Sequence, residues 1–275
     1  MIRERKKIIV DPTQPGNPLI AVLKRIFMAS FAIAVFLIAW EVAARLELVS
    51  VPTFFPPIST IIAALADEAA KGALWTNTLI SLRRSLIGFG LGLLVAIPLG
   101  LAIGWFRLFG DLINPLIQVF RNLPTLALLP VFVMFFGIGE FSKVMVILWS
   151  VLWYTLLNTI SGVRAVDPQL IKAARSMGTG NLRLFGAVVL PAALPFIFTG
   201  VRISATISIL VLIAAEMMGA NSGLGYAMFF YQGQFMIPQM FAYIFVMAIV
   251  GAALNFILEH VEKRAFRWRD DSGAT

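Results

Sequence analysis

The sequence predicts an all-α membrane protein with about six transmembrane helices. Three observations carry this: an apolar composition, a series of apolar runs of bilayer length, and a one-sided distribution of Lys and Arg. The 275 residues are 60% hydrophobic and 13% charged, with a mean hydropathy of +0.90, too apolar for a soluble domain of this size. A crossing helix needs ~20 apolar residues, and such runs lie at 27–44, 86–106, 112–136, 144–162, 196–218 and 241–258. With the N-terminus inside, these crossings gather Arg3, Arg5, Lys6, Lys7, Lys24, Arg25, Arg107, Arg164, Lys172, Arg175, Arg183, Lys263, Arg264, Arg267 and Arg269 on one side. The opposite side holds mainly Lys71 and Lys143, with Arg45, Arg83 and Arg84 near helix ends. The positive-inside rule makes the basic side cytoplasmic, with both termini there. Topology thus accounts for the net charge of +8, and no nucleic-acid partner is expected. The expected layout is a tail at 1–25, one transmembrane domain at 26–260 and a tail at 261–275.

The first run starts about two dozen residues in and has span length, so it reads as a retained helix rather than a cleaved signal peptide. The stretch 51–78 carries Asp67, Glu68 and Lys71 and is expected to lie at the interface. In the second run, Gly88, Gly92, Ala96, Gly100 and Gly104 recur every four residues. Such a ridge lets helix backbones approach closely in lipid; a pore-lining helix kinked at Pro98 is the alternative.

The third run contains Pro115, Pro124 and Pro130, and backbone groups freed by proline at membrane depth need protein or a water-filled cavity. Arg121 sits about nine residues into it, roughly 13 Å deep at 1.5 Å per residue. An arginine there faces a partner or a pathway. Arg121, Asn122 and Pro124, with Arg202 and Glu216 of the fifth run, are therefore the translocation-pathway candidates. Arg202 and Glu216 share a helix face at opposite depths. Either each arginine pairs with a carbonyl or a carboxylate such as Glu216, or both attract an anionic solute. Glu216, shortly before the Gly-rich turn at 221–225, reads as a helix-end or gate-pairing residue.

Between the fourth and fifth runs lies a basic loop, 164–195. Asp167-Pro168 is a helix start, since the carboxylate caps free N–H groups and proline suits the first helical position. Helix should follow through Met177 and stop at Gly178 and Gly180. A second amphipathic piece runs from Asn181 to Leu190 and should end at Pro191 and Pro195. The loop is shaped, unlike a flexible tether, and on the cytoplasmic side it reads as a docking knob for a soluble partner.

Enzymatic readings find no support. The sequence has one histidine, His260, and no cysteine, so neither a metal site nor a thiol nucleophile is expected. No Gly-x-x-x-x-Gly-Lys-Ser/Thr occurs, so any ATP and Mg would be bound by another polypeptide, with no cofactor in this chain. An ion-coupled carrier would show inverted repeats and midplane carboxylates, which are missing. A docking receptor that moves no solute is the remaining non-transport reading.

The loop resembles the Glu-Ala-Ala signature of permease subunits of bacterial ATP-binding cassette (ABC) importers. Lys172-Ala173-Ala174 stands first, Gly178 follows after three residues, and Val188-Val189-Leu190-Pro191 closes the motif after nine more. Lys172 replaces the usual acid. The resemblance implies a type I importer permease fold in which Gln169, Lys172, Ala173, Ala174, Arg175, Met177 and Gly178, with Leu190 and Pro191, form a coupling element for the ATPase. It also implies two ABC ATPase subunits, a second permease copy in a homodimer, and a periplasmic or lipid-tethered solute-binding protein. The location implied is the bacterial inner (plasma) membrane, among its lipids. The run 121–130, Phe136-Gly137-Ile138-Gly139-Glu140, Ala214-Ala215-Glu216 and Ser222-Gly223-Leu224-Gly225 are similar to the nitrate/sulfonate/taurine branch. That branch implies small oxidised anions as solute, with thiamine precursors or flavins as the alternative.

Overall fold

A computed structural model describes residues 18–47 and 54–265. Most of the expected tails, with Arg3, Arg5, Lys6, Lys7, Arg267 and Arg269, lie outside the described residues. Every regular element among those described is helical. The chain forms two compact units, 1–62 and 63–275.

The first unit holds α1 (Pro18–Arg45) and the start of α2 (Ile58–Ala70). The expected first span, 27–44, falls inside α1. Trp40 stacks on Phe55 with centroids 4.8 Å apart and donates its indole N–H to the Pro56 carbonyl at 3.0 Å. Ser59 donates both its backbone N–H and its hydroxyl to the Glu41 carboxylate.

The second unit is a helical bundle. Its helices are α3 (Ala73–Trp105), α4 (Arg107–Phe120), α5 (Leu129–Phe136), α6 (Glu140–Arg164), α7 (Pro168–Ser176), α8 (Asn181–Leu184), α9 (Leu190–Met217), α10 (Leu224–Gly233) and α11 (Ile237–Ala265). Among the described residues, four single helices are long and apolar enough to cross a membrane: Ala73–Trp105, Glu140–Arg164, Asn181–Met217 and Ile237–Glu262. Arg107–Phe120 with Thr125–Phe136 makes a fifth crossing if the bent pair counts as one.

Three boundaries differ from the sequence reading, each for a physical reason. The expected interfacial segment 51–78 is divided by a turn at Lys71-Gly72, and α3 begins at Ala73, well before residue 86. Arg83 and Arg84 mark no helix end, since both lie inside α3, where Arg84 is buried against Glu140 and Glu216. The third run is not one rod: α4 ends at Phe120 and the chain turns by 83° before Pro130. Pro124 disfavours helix at Leu123, and a 3₁₀ turn at Thr125–Leu128 restarts the chain. Finally, Pro191 and Pro195 stop nothing, since Asn181–Met217 runs as one 37-residue helix. A π turn at Phe185–Val189, in which the Leu190 N–H reaches the Phe185 carbonyl, immediately precedes Pro191. A wider turn accommodates a residue without its own N–H.

The core is the α3–α6–α9 sandwich. A Cβ built on Gly88, Gly92 or Gly100 would sit 2.7 Å from the Cβ of Ile147, Val151 or Thr159, and one on Gly104 would sit 2.6 Å from that of Val163. Ala96 between them is fully buried. Both series climb together, so α3 and α6 run parallel, ridge against β-branched ridge. Helix α9 runs antiparallel to α6, where Gly200 abuts Asn158 and Thr155 and Thr155 Oγ1 lies 2.7 Å from Ser204 Oγ, and it also touches α3, with Ser85 Oγ 3.4 Å from Ser208 Oγ.

Candidate functional site

The two ends of this bundle carry different chemistry. At one end the chain leaves α6 and forms the knob α7–α8. Asp167 accepts a hydrogen bond from the Gln169 N–H at 2.8 Å, and Pro168 occupies the first helical position. The helix closes with Gly178 N–H bonded to the Arg175 carbonyl and Thr179 N–H to that of Ala174. Gly178 takes φ +75°, a left-handed conformation that favours glycine at a helix C-terminus. Ala174 is buried beneath the helix, while Gln169, Lys172, Ala173, Arg175, Met177 and Gly178 are exposed. Leu190 is half-buried and Pro191 exposed on the adjoining helix. The knob also displays apolar side chains: Leu170 is 53% exposed, Met177 77% and Leu182 91%. Apolar positions this bare beside cations suit a protein-protein contact. Beside the knob lies an apolar cleft of about 490 Å³ lined by residues that include Trp105, Leu182 and Phe185.

The opposite end holds a buried ion cluster. Arg84 on α3 donates Nε to Glu140 at 2.6 Å, Nη2 to the other Glu140 oxygen, and Nη1 to Glu216 at 2.7 Å and to the Ser222 carbonyl at 2.6 Å. Ser81 Oγ meets both Glu216 oxygens at 2.8 and 2.9 Å, and accepts the Leu224 N–H at 2.8 Å. Gly225 N–H adds a bond of 2.9 Å to Glu216, and Asn77 accepts the Gly223 N–H at 2.8 Å. From there Tyr243 continues the chain to Glu68, donating at 3.0 Å. A buried guanidinium is tolerable only with this degree of pairing. The cluster ties the starts of α3 and α6 to the end of α9 and the turn 222–225. Gly223 completes it: at φ +114°, a Cβ there would sit 2.3 Å from Glu216 Oε1. On the non-spanning helix α10, the Tyr231 phenol is pushed up to about 12, first by burial and then by its bond to Glu68.

The pathway candidates are therefore not one constellation. Arg121, Asn122 and Pro124 are exposed at the break after α4. Glu216 is fully buried with Arg84. Arg202 pairs with Glu262 on α11 at 3.3 Å, with side chains 41% and 29% exposed, so Glu216 is not its partner. The sequence reading contains neither Asn77 nor Ser81, and it holds Arg84 only as a helix-end charge and Glu140 only as part of a motif. A signal existed in the spacing of Asn77, Ser81 and Arg84, which at i, i+4 and i+7 mark one polar face of a helix. Among the described residues no cluster of three or more His, Asp or Glu side chains could hold a metal ion.

Comparison with known proteins agrees with this architecture. Residues 88–267 match the family model of binding-protein-dependent transport system inner membrane components. The chain is 32% identical over 254 residues to the taurine transport system permease protein TauC of Escherichia coli, covering 90% of this chain and 92% of that one. It is 31% identical over 257 residues to the putative aliphatic sulfonates transport permease protein SsuC of Bacillus subtilis, covering 94% and 91%. The fold is like that of a chain in an inward-facing structure of the MetNI methionine ABC transporter, with a TM-score of 0.63 at 17% identity over 72% of this chain and 98% of that one. A knob at one end of an apolar bundle, a type I importer fold and a family match over most of the chain agree: this chain belongs to the binding-protein-dependent inner-membrane permeases of ABC transporters.

Proposed function

We propose that two identical copies of this chain form the passage of an ATP-driven importer for small oxidised anions such as taurine or alkanesulfonates. The observation that carries the reading is the knob: a capped helix with a left-handed glycine stop, exposed basic and apolar side chains, and a direct continuation into the long Asn181–Met217 helix. In the proposed cycle, each α7 seats in a separate ATPase subunit, where ATP and Mg bind. Closure of the ATPase pair draws the knobs together and turns the passage outward. A binding protein then delivers solute at the opposite end, and hydrolysis resets the bundle. Work enters as a difference in stability between the two states, carried rigidly through 164–195. The two-fold arrangement follows from one knob per chain acting on a symmetric motor. The sulfonate-type solute is supported by the names of the relatives, and cytoplasmic termini in the plasma membrane by the distribution of Lys and Arg.

The test is reconstitution of the permease with its ATPase and binding protein in vesicles. ATP-dependent uptake of taurine or an alkanesulfonate is the expected result. Uptake of a thiamine precursor instead would overturn the solute assignment, and no ATP-dependent uptake of any kind would overturn the transport cycle.

A further inference from the structure

Helix α4 has three faces. Ile113 and Ile117 pack with Ile103, Leu156 and Ile160, and Phe120 sits against Trp149 and Trp153 with centroids 5.8 and 6.3 Å apart. Leu108, Leu112, Leu116 and Val119 form an apolar face, 57 to 88% exposed. Arg107, Asp111, Asn114, Gln118 and Arg121 recur at steps of four, three, four and three, which is one stripe on a helix. All five are exposed, and none of their side chains has a hydrogen-bond or ion-pair partner among the described residues. Pro115, inside the helix, also removes the N–H that would bond the Asp111 carbonyl.

The stripe lies at membrane depth. Gly110 is placed beside Arg164, at the knob end of α6. Ile117 lies at the level of Leu156 and Ile160, and Phe120 at that of Trp149 and Trp153. Helix α4 thus follows the crossing helix α6 antiparallel from its knob end to about its middle and does not lie flat on the surface. Side chains of this polarity cannot face hydrocarbon. Two arginines against one aspartate leave the stripe net positive, which suits a passing anion better than a cation. Lipid is left to the apolar face, about a third of a turn away.

We infer that the α4 stripe is a wall of the water-filled passage on the knob side, with Asn114 and Gln118 presenting neutral hydrogen-bond donors to an anionic solute and Arg121 holding the positive end at mid-depth. This rests on the transport reading for its solute, but its test does not require transport. The chain contains no cysteine, so single cysteines can be placed by N114C and Q118C on the stripe and by L112C, L116C and V119C on the apolar face. The complete transporter in inside-out vesicles is treated with membrane-impermeant methanethiosulfonates bearing either a sulfonate or a trimethylammonium group.

The expected result is labelling of the stripe positions at least tenfold faster than the apolar ones. The ratio of anionic to cationic labelling rates should fall in R121Q/Q118C relative to Q118C alone. Equal labelling of both faces would place α4 in bulk water and overturn the inference. Protection of the stripe in every nucleotide state would make it a contact between the two copies and overturn it as well. A labelled stripe in a transporter that moves no sulfonate would leave the wall standing and remove only the solute assignment.

Discussion

Replacing Glu216 with alanine tests the ion cluster most sharply. The carboxylate is fully buried and takes hydrogen bonds from Ser81, Arg84 and the Gly225 N–H. Without it, Arg84 keeps Glu140 and Ser222, but Nη1 loses its charged partner in a site where the guanidinium is 2% exposed. Breaking one partner of a buried pair costs about 3–5 kcal/mol. The Ser81 hydroxyl loses its acceptor and the Gly225 N–H its bond, each adding about 1–3 kcal/mol if no water replaces the oxygen. The expected loss is therefore at least ~3 kcal/mol. R202Q is the control: it breaks a half-exposed pair at 3.3 Å, worth at most ~1 kcal/mol after screening by solvent.

The assay is thermal unfolding of the detergent-solubilised complex. For E216A a loss of ~3 kcal/mol corresponds to a fall in Tm of on the order of 10 °C on the scale of soluble domains, against ~2 °C for R202Q. Because Arg84 is the group left stranded, R84M in the E216A background should add little further destabilisation, giving a coupling of ~2 kcal/mol or more in a double-mutant cycle. Equal, small shifts for E216A and R202Q, or strictly additive effects of R84M and E216A, would refute the reasoning.

Other perturbations follow from the same geometry. G92L with G100L inserts side chains where a Cβ alone would stand 2.7 Å from Val151 and Thr159; the yield of folded permease on size exclusion should fall severalfold, and an unchanged yield would remove the ridge as a packing device. G178V forces a β-branched residue into φ +75° at an exposed site, a strain of about 1–2 kcal/mol. The reconstituted complex should then hydrolyse ATP while losing most uptake, and full uptake would count against a rigid knob. M177S with L182S removes two apolar side chains that are 77% and 91% exposed. Tm of the permease alone should stay within ~1 °C, while co-purification with the ATPase weakens at least tenfold. G223A should lower Tm like E216A, because its Cβ and the Glu216 carboxylate compete for one space.

Much of the bundle was legible from residue pattern alone. Apolar runs located the crossing helices because hydropathy is a local property, and Asp167-Pro168 with Gly178 marked the knob because helix caps are read from consecutive residues. The glycine series stood out because its four-residue step survives without knowing what it touches. What the sequence could not display was pairing across the chain. Arg84 looked like a boundary charge because its partners Glu140 and Glu216 lie 56 and 132 positions away. For the same reason the sequence points Arg202 to Glu216 on its own helix, whereas Glu262 on α11 supplies the carboxylate. Prolines misled in both directions. Pro124 breaks a run that hydropathy treats as continuous, and Pro191 sits in a helix it was expected to end, because a π turn changes the local hydrogen-bond register. The polar stripe of α4 became visible only once the bend confined that helix to fourteen residues and α6 fixed its depth.

The central claim is that a separate motor drives the bundle through the elbow at 164–195. A173C places the sole thiol of the permease on the exposed face of α7, and a short bifunctional maleimide then joins it to a cysteine introduced in the ATPase subunit within the assembled transporter. The account predicts a permease–ATPase product in the assembled transporter, and loss of ATP-driven uptake when a bulky maleimide on A173C keeps α7 from its seat. Free reaction of A173C with a bulky maleimide in an assembled complex that continues to transport at full rate would contradict it.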